Sequence, residues 1–278
     1  MSYRSIVIHV NGSLRAEERI RIAARIAVDM DAHLIGVAPT GLALFRPDGD
    51  VGNLGFYYEE TLKQLRQRSA DAVAEFDRIV DHIGVKSYEH RVADDEDGYA
   101  IALHARYADL VVVGQSDRND PAVSTSMGFP EHVLLNCGRP TLMVPYAGKF
   151  DAVGSNVLVA WNASREVARA VTDALPFLKR ARIVRVVVVN GTGTLDGHGA
   201  EPGADIALFL ARHGVTVEVD QLKSSGDVAN TLLSGAADYG SDLIVMGGYG
   251  HSKFREMLLG GATRSMLEQM TVPVLMSH

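Results

Sequence analysis

The sequence predicts an α/β protein made of two tandem doubly wound domains, each with a five-stranded parallel sheet, packed as a pseudo-dimer. Three observations point there. The chain repeats itself, short β-branched runs alternate with helical periodicity inside each repeat, and 278 residues leave room for two cores at about 150 residues per domain.

Asp109-Leu-Val-Val-Val-Gly114 returns as Asp242-Leu-Ile-Val-Met-Gly247, and Pro140-Thr-Leu-Met-Val144 as Pro273-Val-Leu-Met276, both displaced by 133. At the front, Ser5-Ile-Val-Ile-His-Val-Asn11-Gly-Ser13 returns as Asn156-Val-Leu-Val-Ala-Trp-Asn162-Ala-Ser164, displaced by 151. The first repeat is therefore 18 residues longer. Its excess is expected as an inserted loop at about 40–58, around the Gly-, Pro- and Asp-rich stretch from Gly41 to Gly55. Domains are expected at 1–147 and 148–278, with the boundary near Ala147-Gly148-Lys149-Phe150.

The second repeat shows the elements best. A first strand over 156–161 stops at Asn162, and a helix follows near 164–179. The next strand, 183–189, is apolar almost throughout from Val184 to Val189, as suits a sheet covered on both faces. A helix near 203–213 and a strand over 215–221 come next. Ser224-Ser-Gly-Asp227 caps a helix near 226–239, whose Val228, Leu232 and Ala236 recur at i, i+4. Strand 242–247 leads to a glycine-rich loop, then a helix over 261–270 with Ala262, Met266 and Met270 on one face, then a closing strand over 272–276. In the first repeat Gly84 reads as a helix C-cap, and Asp94-Asp-Glu-Asp97 as a helix start rather than a cation site.

Composition narrows the function. The net charge of −7 divides into 15 Lys+Arg against 21 Asp+Glu in residues 1–147 and 12 against 13 in 148–278. Neither repeat is a basic module, which argues against nucleic acid or an anionic membrane as the main partner. Cys137, the single cysteine, allows no internal disulfide and no multi-Cys metal site. The apolar start is broken at Asn11 and Gly12, too soon for a signal peptide, and no run approaches 18 apolar residues, so the expected location is the cytoplasm.

Doubly wound sheets bind ligands beyond the carboxyl ends of their strands. The loop there reads Gly247-Gly-Tyr-Gly250-His-Ser-Lys-Phe-Arg-Glu-Met-Leu-Leu-Gly260-Gly261-Ala262-Thr263. Glycines permit close backbone approach, a helix start suits an anion, and Lys253, Arg255 and Arg264 agree in sign against the single acid Glu256. No residue near the loop is assigned as a general base or metal-binding carboxylate, and no serine, histidine or cysteine forms a nucleophilic constellation. His9 reads as a packed strand residue, and Trp161 either borders the pocket or belongs to the core.

Gly247, Gly250 and Gly260 in the spacing Gly-x2-Gly-x9-Gly, at the end of an Asp-Leu-Ile-Val-Met strand, resemble the nucleotide-binding motif of the universal stress protein family. The likeness runs over both repeats, as in tandem members of that family. It implies ATP, with Mg²⁺ or Mn²⁺ carried on the phosphates. The phosphates would lie on Gly247, Gly250, Gly260, Gly261, Ala262 and Thr263, with Met246 lining the pocket. Asn162, where the family usually has Asp, would meet the ribose and base, and the backbone of Val188 or Val189 would hold the adenine. Gly261 stands where the family often has Ser or Thr. The resemblance further implies pairing of the last strands, 141–145 with 272–276, within the chain, and a role as a regulatory stress-response module with at most slow hydrolysis and an unidentified protein partner. Dimerisation of whole chains stays open, as does the alternative of a nucleotide-independent interaction scaffold. In the first repeat Gly114, Asp117, Met127, Gly128 and Pro130 take the motif positions, and no ATP site is expected there.

Overall fold

The computed structural model describes residues 2–41, 54–117, 119–120, 128–191, 201–249 and 261–278. Most of the inserted loop expected at about 40–58, and Met127, Gly250, Lys253, Arg255 and Gly260, lie outside them.

The chain divides into two compact units, Tyr3–Arg139 and one that takes Pro140–His278. The first unit runs β1 (Ser5–His9), α1 (Ala16–Met30), β2 (His33–Pro39), α2 (Leu54–Ile83), β3 (Tyr88–Ala93), α3 (Asp97–Ala105), β4 (Leu110–Gly114) and α4 (Phe129–Asn136). Its strands lie in the order β3-β2-β1-β4, all parallel. The second runs β5 (Thr141–Val144), β6 (Asn156–Ala160), α5 (Arg165–Asp173), α6 (Leu175–Leu178), β7 (Ile183–Val189), α7 (Ala204–Arg212), β8 (Val217–Leu222), α8 (Val228–Asp238), β9 (Leu243–Gly247), α9 (Ala262–Gln269) and β10 (Val274–Ser277). Its order is β5-β10-β9-β6-β7-β8, parallel except for β5, which runs antiparallel to β10 with Leu142 opposite Leu275. The strand that closes the first repeat is thus part of the second unit.

The strands form where the sequence concentrates Val, Ile and Leu, and the central ones are buried without remainder, as at Ile6–Ile8, Leu110–Val113, Val157–Val159 and Leu243–Val245. Each such side chain gains about 1.5–3 kcal/mol on leaving water. The repeated aspartate in front of β4 and β9 has a backbone task. Asp109 accepts from the amides of Arg4 and Ser5, and Asp242 from those of Gly154, Ser155 and Asn156, so each carboxylate pins the entrance of its unit's central strand.

Helix ends follow their local chemistry. Gly84 sits at φ 83° with its amide on Val80 O, as a C-cap should, and Ser164 and Asp227 cap α5 and α8 through Val167 N and Ala229 N. Ser13 offers no such cap: its Oγ is buried without a partner among the described residues. The helix expected over 164–179 is two pieces, because Pro176 has no amide to continue the ladder, and α5 ends at Ala174 before α6 restarts. At α3 the Glu96 carboxylate receives the amides of Gly98 and Tyr99, while Asp97 is buried. Burial first, and Glu96 second, push the Asp97 carboxyl up to about 6.

Two measurements follow from this packing. Leu158→Ala in β6 is expected to cost about 2–5 kcal/mol, read as a lower urea midpoint at unchanged slope. Because the Asp97 pKa is higher folded than unfolded, its ionisation opposes folding above the folded value, and the penalty fades as pH falls through about 6 toward the unfolded value. Comparing urea midpoints at pH 7 and pH 4.5, Asp97→Asn should be more stable than the parent by up to about 3 kcal/mol at pH 7, and the difference should narrow to about 1 kcal/mol at the lower pH.

Candidate functional site

In the second unit β6 has β9 on one side and β7 on the other, so the chain leaves the sheet in opposite directions past the ends of these strands, where such folds hold ligands. This brings Asn162, Val188, Val189, Met246 and Gly247 to the carboxyl ends of three adjacent strands. The turn after β6 is fixed: Trp161 N donates to Val187 O at 2.9 Å, Ala163 is left-handed at φ 57°, and Asn162 Oδ1 accepts from Ser164 N at 3.2 Å. Trp161 is half-buried and Asn162 exposed. With Oδ1 committed to the turn, what Asn162 offers a ligand is its Nδ2 donor, where an aspartate would still present an acceptor.

At the end of β7, Val188 is buried and Val189 half-buried. Asn190, left-handed at φ 54°, exchanges two hydrogen bonds with the loop after β8: its Nδ2 donates to Ser224 O at 2.9 Å and its Oδ1 accepts from Ser224 N at 2.8 Å. This clasp fixes the wall next to Val189. The sequence signalled it only as an Asn-Gly pair after a strand.

Gly247 is where helix and strand press hardest. A Cβ there would stand 2.6 Å from Val167 N and 2.9 Å from Glu166 C, so the first turn of α5 can close on β9 only over a glycine. Beyond it, Gly248 N donates to Ser277 O at 2.9 Å, and His278 Nδ1 lies 3.1 Å from Gly248 O. Tyr249 N reaches Thr263 Oγ1 at 3.4 Å, tying the head of the loop to α9. Gly261 is the N-cap of α9 and exposed; among the described residues no side chain caps it and none stands within 4 Å of where its Cβ would be. The first-turn amides of a helix have no intrahelical acceptor, so those of Ala262 and Thr263 are what this end can offer an anion. Met246 is buried behind, opposite Met276 of β10. Among the described residues no group of three His, Cys, Asp or Glu could hold a metal ion, and no helix is long and apolar enough to cross a membrane.

Residues 155–278, which contain this whole arrangement, match the model of the universal stress protein family. Through this segment the chain is similar to the universal stress protein family. A universal stress protein of Synechocystis sp. is 22% identical over 168 residues, 60% of this chain and 57% of that protein, so the chain spans little more than half the length of this curated relative. A universal stress protein from Archaeoglobus fulgidus has a similar solved fold, with TM-score 0.70 at 15% identity over 98% of this chain and 94% of that one. So does a protein of unknown function from Pseudomonas aeruginosa, with TM-score 0.58 at 17% identity over 98% and 92%.

The two repeats treat the same place differently. Where the second has Ala160, Ala170 and Ala262, the first has His9, Arg19 and Phe129. Arg19 is only 4% exposed, its Nε donating to His9 O at 2.9 Å and its Nη2 to Asn11 Oδ1 at 2.7 Å. Its Nη1 occupies the space beside Gly114, 2.6 Å from where a Cβ would be. Burial pulls the guanidinium down to about 10, against the opposing pull of Asp120, whose Oδ2 takes the Leu14 amide. The His9 and Phe129 rings meet at 4.7 Å, and burial first and Arg19 second hold the His9 imidazole well below its usual range. The sequence reading passed over Arg19. Its signal was a lone cation on the apolar face of α1, three residues after Ala16 and four before Ala23.

The glycines make a direct comparison. Gly247→Ala should cost about 1–3 kcal/mol, because the displaced neighbour is helix backbone, whereas Gly261→Ala should stay within about 1 kcal/mol. Thermal melts of the two variants check this.

Proposed function

We propose that the second unit binds an adenine nucleotide, ATP, as a regulatory stress-response module. The observation that carries this reading is the start of α9 at Gly261, which no described side chain caps and which Tyr249 N, 3.4 Å from Thr263 Oγ1, ties to the end of β9. In this reading the phosphates lie on Gly247, Gly250, Gly260, Gly261, Ala262 and Thr263. Met246 lines the pocket, the Val188 and Val189 backbone meets the adenine, and Asn162 donates to the ribose or base. Mg²⁺ or Mn²⁺ arrives on the phosphates and keeps most of its water. This reading gives the chain orientation and charge complementarity and assigns it no proton-transfer group, so hydrolysis, where it occurs, is slow. In this reading the first unit holds no ATP: His9, Arg19 and Phe129 stand where the second unit has alanines, and Asp117 stands in place of Gly250.

Calorimetric titration of nucleotide-stripped protein with Mg-ATP tests this. One site per chain is expected, lost in Gly250→Asp, the residue that the first repeat carries there as Asp117. Gly261→Ser, which adds a capping hydroxyl at the phosphate end, should tighten binding up to about tenfold. Two sites would overturn the reading of the first unit. No heat at millimolar Mg-ATP would leave a nucleotide-independent scaffold.

A further inference from the structure

Of the large apolar side chains that the described residues expose, three lie on one short element: Tyr99 at 53%, Leu103 at 39% and Tyr107 at 80%. Tyr99 and Leu103, at i and i+4, share one face of α3, and Tyr107 follows at the same spacing in the turn just beyond it. The fold does not require this stripe. Aligned by their N-caps, Glu96 and Asp227, helices α3 and α8 agree at the buried positions, Ile101 with Leu232 and Ala105 with Ala236. The exposed positions of α8 that match Tyr99, Leu103 and Tyr107 are Asn230, Ser234 and Asp238.

We infer that this face of α3 is a self-complementary interface between two copies of the chain. The stripe is symmetric about Leu103: a two-fold axis there sets two α3 helices antiparallel, Leu103 on Leu103 and Tyr99 on Tyr107 of the other copy. The charges complement each other under the same operation. The start of α3 carries Asp95 and Glu96, and its end carries Arg106 and Arg139, whose Nη2 donates to Arg106 O at 2.9 Å. Arg106 lies three residues past the axis and Glu96 seven before it. The mismatch is about 6 Å along the helix, within a guanidinium's reach. Tyrosines at the centre and an arginine in a polar rim match the composition of such contacts. The stripe exposes on the order of 400 Å² per copy, below the ~800 Å² per partner of a tight complex, so the dimer is weak and reversible.

Sedimentation velocity of the full chain from about 1 to 200 μM should show a concentration-dependent dimer. The triple variant Tyr99→Asn, Leu103→Ser, Tyr107→Asp, built from residues that α8 already carries, should stay monomeric with an unchanged circular-dichroism spectrum. Independently of that variant, Leu103→Cys should cross-link to a dimer under mild oxidation, while Leu208→Cys, at a still more exposed leucine on α7, should not; the native Cys137 is buried. A parent chain monomeric throughout, a dimer that survives in the triple variant, or equal cross-linking of both cysteine variants would overturn the proposal.

Discussion

Much of the second unit depends on one close approach, that of α5 to the end of β9 over Gly247. With backbone of Glu166 and Val167 standing where a side chain would begin, helix and strand cannot separate or slide without losing the turn that carries Asn162 and Ser164. The other end of the same strand pair is held by Asp242, whose carboxylate gathers the amides at the entrance of β6. Between these two points the buried valines and leucines need only be apolar and of suitable size. The ends set where the strands stop, and hence where a ligand can sit.

The first unit keeps the same glycine and uses it otherwise. At Gly114 the space receives the Arg19 guanidinium rather than helix backbone, and a cation that would be costly to bury alone is given two neutral acceptors and the field of Asp120. Duplication has left two sheets of one design. In one, alanines stand at three of the positions about the strand ends; in the other, an imidazole, a guanidinium and a phenyl ring stand there.

Most of the fold was legible in the sequence because parallel strands buried on both faces must be apolar throughout, and the Asp-Leu-x-Val-x-Gly runs announce them twice. Helix ends were legible where a single residue decides them, as at Gly84 and Asp227. The break at Pro176 was also written in the chain, though periodicity concealed it, since the apolar face continues through Leu175, Phe177 and Leu178. The role of Arg19 was harder to see. An arginine on an apolar helix face is read as a surface residue until the glycine opposite it, 95 positions later, is known to make room. The direction in which Asn162 presents its amide depends on the turn it closes, which spacing alone does not express.

The placement of β5 has a consequence for the order of events on the ribosome. Its antiparallel partner β10 begins 133 residues after it. At roughly 5–20 residues per second the nascent chain carries β5 for several seconds before that partner exists. The first repeat can acquire its four parallel strands meanwhile, yet the sheet of the second unit is finished only when both ends of that unit, synthesised first and last, meet. A cut at the repeat boundary near residue 147 would strip β10 of this neighbour, so the independently inheritable piece of this chain is longer than the piece that was duplicated.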